Sequence, residues 1–208
     1  MESIDAYLAA LASEWPTPGG GSAAILVAAS GASLVSMVAR ICSANPKYEE
    51  QHDLARSLIS AGDALRADLL ARRVRDEEAF DRVVAATAMP RGTPDEKASR
   101  ARAVERALHG AAAEPLGAAK QALAVLRLAE ESLAIRNANL VSDVGCAAEF
   151  GYAGLASCAY NVRINHRFMK DAALIALQAE TIARYEREGR ALLASVRSSV
   201  NALLAPRA

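Results

Sequence analysis

Apolar residues recur along this chain at steps of three and four, and strict alternation is missing, so the pattern predicts helices throughout. Ile4, Leu8 and Leu11 form one stripe and place a first helix over residues 3–13. From Gly19 to Ala39 no charge interrupts, and the large aliphatics gather only at 25–27 and 34–38 among Gly, Ser and Ala. That composition predicts a helix packed closely on all sides, capped by Ser22 and running to about Ser43, before Pro46 forces a break. Leu54, Leu58, Ala61, Leu65 and Leu69 continue the four-three rhythm in an amphipathic helix over 48–90. Thr93, Pro94 and Glu96 spell a capping box with proline at the first helical position. Pro115 is expected to kink or break that helix near 110–114, with a further segment over 116–136. "VGCAAEFGYAGLASCAYNV" forms a second small-residue helix, and Asp171 caps a charged outer helix over 171–205. Neither a repeat nor a linker separates these segments. The expectation is one all-α domain over 1–208, a helical bundle with buried small-residue helices.

Composition sharpens this picture. Alanine supplies 49 of the 208 residues, which reinforces the helical reading. The 24 basic and 24 acidic residues cancel, arguing against nucleic acid and against a polybasic membrane surface. Residues 15–39 are long enough to span a bilayer, but the Gly, Ser and Ala content favours a buried helix, so no membrane partner is expected. An acidic N-terminal stretch does not read as an export signal. Three cysteines, Cys42, Cys146 and Cys158, lack metal or disulfide spacing and read as small packed residues in a cytoplasmic protein.

The chemistry-bearing residues are few. His52, His109 and His166 stand apart and read as surface groups; no metal site is expected. "PTPGGGS" matches neither a phosphate-binding loop nor a dinucleotide fingerprint, yet its bare backbone at a helix N-terminus suits an electron-rich ligand group. In isolation Asp76 in "DEEAF" reads as a charged helix face rather than a reactive group, and Asp143 in "SDVG" as a helix cap. In "NVRINHRF", Asn161, Arg163 and Asn165 alternate with Val162 and Ile164 beside a buried helix, so they need partners: a ligand or a subunit interface.

Taken in order, "PTPGGGSAAILVAAS", "KYEE", "DEEAF", "SDVG" and "NVRIN" resemble the cyclodeaminase/cyclohydrolase family. That family comprises the C-terminal domain of formiminotransferase-cyclodeaminase and free-standing bacterial methenyltetrahydrofolate cyclohydrolases. The resemblance implies a helical homodimer acting on one-carbon derivatives of tetrahydrofolate. Pro18, Gly19, Gly20, Gly21 and Ser22 match its glycine loop, Lys47 and Tyr48 its "KYE", Asp76 its "DxxAF", Asp143 its "SDVG", and Arg163 and Asn165 its "NVRIN".

The resemblance implies roles as well. Asp143, or else Asp76, is the base that activates water beside a cationic methenyl bridge, and Lys47 manages protons or holds the folate. Tyr48 faces the aminobenzoyl ring, and Arg163 meets the glutamate tail or a partner subunit. The glycine loop admits the ligand to bare backbone, with Gly20 expected at a φ that a β-branched residue resists. No metal or redox cofactor is implied. The dimer is expected to bury part of "GASLVSMVA" or "GYAGLASCA". A cyclohydrolase is favoured; a cyclodeaminase releasing ammonia, or a folate-binding module without turnover, are the alternatives.

Overall fold

The computed structural model describes residues 3–135 and 137–206. Six α-helices account for most of them: α1 (Ile4–Leu11), α2 (Gly20–Ser43), α3 (His52–Thr87), α4 (Pro94–Ser132), α5 (Val141–His166) and α6 (Ala172–Leu204), with short 3₁₀ turns at Pro46–Gln51 and Ala138–Leu140. Local side chains cap the starts of α1, α4 and α6. Thr93 and Glu96 form the predicted capping box, with Pro94 behind them, and Asp171 accepts a hydrogen bond from the Leu174 N–H to start α6. The predicted helix end at Arg136 lies outside the described residues.

α2 is the central helix. It packs on α3, α4 and α5, and α6 lies outside α4 and α5. Among the described residues, α2 is the one helix long and apolar enough to cross a membrane, with a mean hydropathy of 1.9, and 61% of its most apolar stretch is buried inside the bundle. Small residues make this possible. A Cβ on Gly154 would stand 2.8 Å from the Ala28 Cβ, so α2 and α5 approach closer than larger side chains allow. Ile25, Leu58, Leu69, Leu123, Leu126, Leu155 and Ile182 fill the core around that contact. Much of "GASLVSMVA" and "GYAGLASCA" is therefore covered within the chain. The outer face of α2 and α5 keeps Val27, Ile41, Phe150 and Tyr160 exposed.

Several expectations are corrected. Ser22 does not cap α2: Gly19 occupies the cap with extended backbone, and Ser22 lies inside the first turn. Its side chain is instead drawn into tertiary hydrogen bonds described below. Pro115 does not divide α4, which runs through it. A proline leaves the carbonyl four residues earlier without its helical donor. Here that carbonyl, on Ala111, accepts from Asn165 Nδ2 at 2.9 Å. Cys42 and Cys158 are buried as expected, but Cys146 is exposed. The histidines are half-buried rather than on the surface; for example, His166 bonds Gln178 at 2.8 Å.

Candidate active site

α3 and α5 run antiparallel to α2, while α4 and α6 run in its direction, which sorts the motif residues to two ends of the bundle. At the first end the loop between α1 and α2 brings Pro16, Thr17 and Gly19, the start of α2 brings Gly20 and Gly21, α3 contributes Asp76, Glu77 and Phe80, and α5 contributes Asn161 and Asn165; Pro18 lies in the same loop but does not line a cavity there. Two adjoining cavities open there. One, of about 240 Å³, is walled by Phe80, Val83, Leu108, Ile164 and Phe168, with Asn161 and Asn165 as polar members. The other, of about 140 Å³, is walled by Pro16, Thr17, the three glycines and Glu77. Asp76, Phe80 and Asn161 line both. An apolar slot with two phenylalanines thus meets a polar, backbone-lined recess, and a carboxylate stands at the junction.

Burial pushes the Asp76 carboxyl up to about 6, and the nearby Glu114 and Glu77 carboxylates add to the effect. Glu114 does not stand alone, because Arg72 donates to it at 2.7 Å and to Gln121 at 2.8 Å beneath the site. The thiol of Cys158 is buried under the same group and pushed up to about 12, first by desolvation and then by the Asp76 charge.

The glycine loop's contribution differs from the expectation in one respect. No described glycine has positive φ, and a Cβ on Gly20 would meet open space. Gly21 is the constrained position, since a Cβ there would overlap Asp76 Oδ2 and lie 3.1 Å from its Cγ. The loop is bare so that the Asp76 carboxylate can lie against it.

At the second end stand Lys47 and Tyr48, in the 3₁₀ turn after α2, and Asp143, in the first turn of α5. About 27 Å of helix separates Asp143 from Asn161, at about 1.5 Å per residue. One chain therefore does not bring Asp143, Lys47 or Tyr48 to Asp76. Lys47 Nζ rests 5.6 Å from the Tyr48 ring centre. Nearby, a cavity of about 180 Å³ is lined by Val38, Leu140, Val141, Val144 and Leu203.

The "NVRIN" polar residues have protein partners. Arg163 grips both oxygens of Glu186 on α6, at 2.9 and 2.5 Å. Asn165 Nδ2 also donates to the Asn161 carbonyl at 2.8 Å, in addition to Ala111. Sequence reasoning missed Glu77, Phe168 and Tyr7. Glu77 was visible as the neighbour of Asp76, whereas nothing local marks Tyr7.

The fold and site define a class of all-helical bundle with a buried carboxylate between an aromatic slot and a glycine loop. The comparisons with known proteins narrow this further. The formiminotransferase-cyclodeaminase family model matches residues 3–184, and the chain belongs to that family. It is 38% identical to a methenyltetrahydrofolate cyclohydrolase of Methylorubrum extorquens, over 96% of this chain and 98% of that protein. It is 31% identical to the formimidoyltransferase-cyclodeaminase of Rattus norvegicus, over 81% of this chain but 31% of that longer protein. The crystal structure of formiminotetrahydrofolate cyclodeaminase from Thermotoga maritima has the same fold, with a TM-score of 0.87, 24% identity and 98% of each chain covered.

Proposed function

We propose that this chain is a cytoplasmic methenyltetrahydrofolate cyclohydrolase, converting 5,10-methenyltetrahydrofolate to 10-formyltetrahydrofolate. The observation that carries the mechanism is Asp76 at the junction of the two cavities; the end-to-end similarity to a cyclohydrolase carries the choice of substrate. The methenyl carbon lies between two nitrogens and shares a positive charge with them, so an ionised Asp76 attracts it. As the oxygen of water bonds to that carbon, Asp76 takes one water proton, and a carboxyl poised near 6 has a basicity suited to neutral pH. In the tetrahedral adduct the bond from carbon to N5 then breaks. The hydroxyl oxygen becomes the formyl carbonyl as it gives up its proton, N5 takes a proton, and one proton is released overall. Phe80 and Phe168 flank the slot suited to a flat ring, and the glycine recess suits its polar edge. The scheme calls on no cofactor.

Asp143, Lys47 and Tyr48 enter this reading through a homodimer. The exposed apolar face of α2 and α5 supports one, and a two-fold antiparallel pairing would lay the second end of one copy against the first end of the other. In that assembly Asp143 adds negative charge near the cation, Lys47 manages the departing nitrogen's proton, and Tyr48 faces the aminobenzoyl ring. Arg163 already holds Glu186, so a glutamate tail would have to compete with that carboxylate.

A paired assay tests the reading. Loss of methenyl absorbance faster than in buffer is expected. Ammonia release from 5-formiminotetrahydrofolate without that activity would select the cyclodeaminase, and folate binding without either reaction would leave a binding module.

A further inference from the structure

Beside the contact between Gly21 and Asp76 runs a second one, between the next residue on each helix. Ser22 Oγ donates to Glu77 Oε1 at 2.6 Å. Arg73 Nη1 donates to the same oxygen at 3.0 Å. A serine hydroxyl carries one hydrogen, and here it goes to the carboxylate. The Tyr7 hydroxyl, 2.9 Å from Ser22 Oγ, must therefore donate to it. The result is a one-way chain from α1 through α2 to α3, ending on a carboxylate. Tyr7 and Ser22 are 4% and 1% exposed, so water does not compete for these bonds. The Arg73 guanidinium also covers the Tyr7 ring, 5.1 Å from its centre.

We propose that Glu77 is a positioning residue: through Ser22, with Tyr7 closing the chain from α1, it clamps the glycine loop onto the helix that carries Asp76. The clamp keeps water from the Asp76 carboxylate and fixes its distance from the reacting carbon. Around Asp76 the other charged and titratable groups are Glu114 with its partners Arg72 and Arg75, and Cys158 on α5. This inference rests on Asp76 being the base.

The experiment measures kcat, KM, the acid limb of the pH–rate profile and thermal unfolding for Ser22→Ala, Glu77→Ala, Glu77→Gln and Tyr7→Phe. Ser22→Ala and Glu77→Ala are expected to lose roughly tenfold to a hundredfold in kcat, the scale of a displaced catalytic group. In Ser22→Ala, which keeps the Glu77 charge, the acid limb should move to lower pH as water reaches Asp76, a shift that loss of folded protein alone cannot produce; in Glu77→Ala the lost charge moves it the same way, so the Ser22 variant is the deciding one. Glu77→Gln keeps an acceptor for both Ser22 and Arg73 and should recover most of kcat. Tyr7→Phe should show the same signature more weakly, and it decides the matter should Ser22→Ala not fold. Full kcat in Ser22→Ala and Glu77→Ala would overturn the proposal. So would a Glu77→Gln enzyme as impaired as Glu77→Ala, because the charge rather than the clamp would then matter. An active Asp76→Asn variant would instead remove the underlying reading of the site, and it is scored separately.

Discussion

The two ends of the bundle hold motifs that look alike in sequence, each a short acidic signature beside small residues, yet they sit in different physical settings. At the glycine-loop end Asp76 is pressed against bare backbone, faces two cavities and has its proton affinity raised by burial. At the other end Asp143 lies in the first turn of α5, where a carboxylate also favours the helix dipole. A motif thus fixes which residue is present, and the packing around it decides which chemistry that residue can do.

The largest expected effect separates the ends directly. Asp76→Asn should lower kcat by about a hundredfold to ten-thousandfold, the usual worth of a general base. Asp143→Asn should act mainly on substrate affinity, if the second end reaches the site only through another copy. Mixing two such impaired variants sharpens the test. A random mixture of dimers pairs an intact Asp76 from one chain with an intact Asp143 from the other in one site of each mixed dimer, restoring about a quarter of full activity. No recovery would place both carboxylates, or neither, in one chain's site.

A second contrast is thermodynamic. Folding raises the Asp76 carboxyl to about 6, so ionising it opposes the folded state. Stability should therefore fall as pH rises from about 4 to about 6 and stay lower above that. A shift of this size corresponds to on the order of 2–3 kcal/mol. Asp76→Asn cannot ionise, so it should unfold at higher temperature than the parent at pH 8, with the gap closing near pH 4. A gap that is constant with pH would mean the carboxyl is not buried as described.

These ends also show what a sequence can and cannot reveal. Helix starts at Thr93 and Asp171 were legible because their capping groups lie within one turn. Ser22 was misread as a cap because its partners, Tyr7 and Glu77, come from other helices. Pro115 was misread as a break because the replacement donor, Asn165, lies 54 residues away from the carbonyl it serves. The site divides the same way. Asp76 and the glycines were legible from their motifs, while their contact, and the distance of Asp143 and Lys47 from them, depend on antiparallel packing.

Asn165 supplies the third test, because it belongs to the first end yet does structural work there. Asn165→Leu leaves the Ala111 carbonyl without a partner and should cost about 1–3 kcal/mol in urea unfolding. Pro115→Ala restores a backbone donor to that carbonyl. The double variant should therefore lose less than Asn165→Leu alone, and simple additivity would show that the asparagine is not replacing the missing helical bond.

The smallest effect distinguishes two adjacent glycines within the loop. Gly20 has open space where a Cβ would go and no positive φ, so Gly20→Ala should leave folding intact or stabilise it by about 0.4–1 kcal/mol through the unfolded chain. Gly20 lines the recess proposed for substrate, so any kinetic change should fall on KM. At Gly21 the same methyl group collides with Asp76 Oδ2, and the carboxylate must move. That variant should therefore lose kcat, and its pH profile should shift along with the displaced group. Equal effects of the two substitutions on kcat would mean that the loop acts as a flexible joint rather than as the surface against which Asp76 is held.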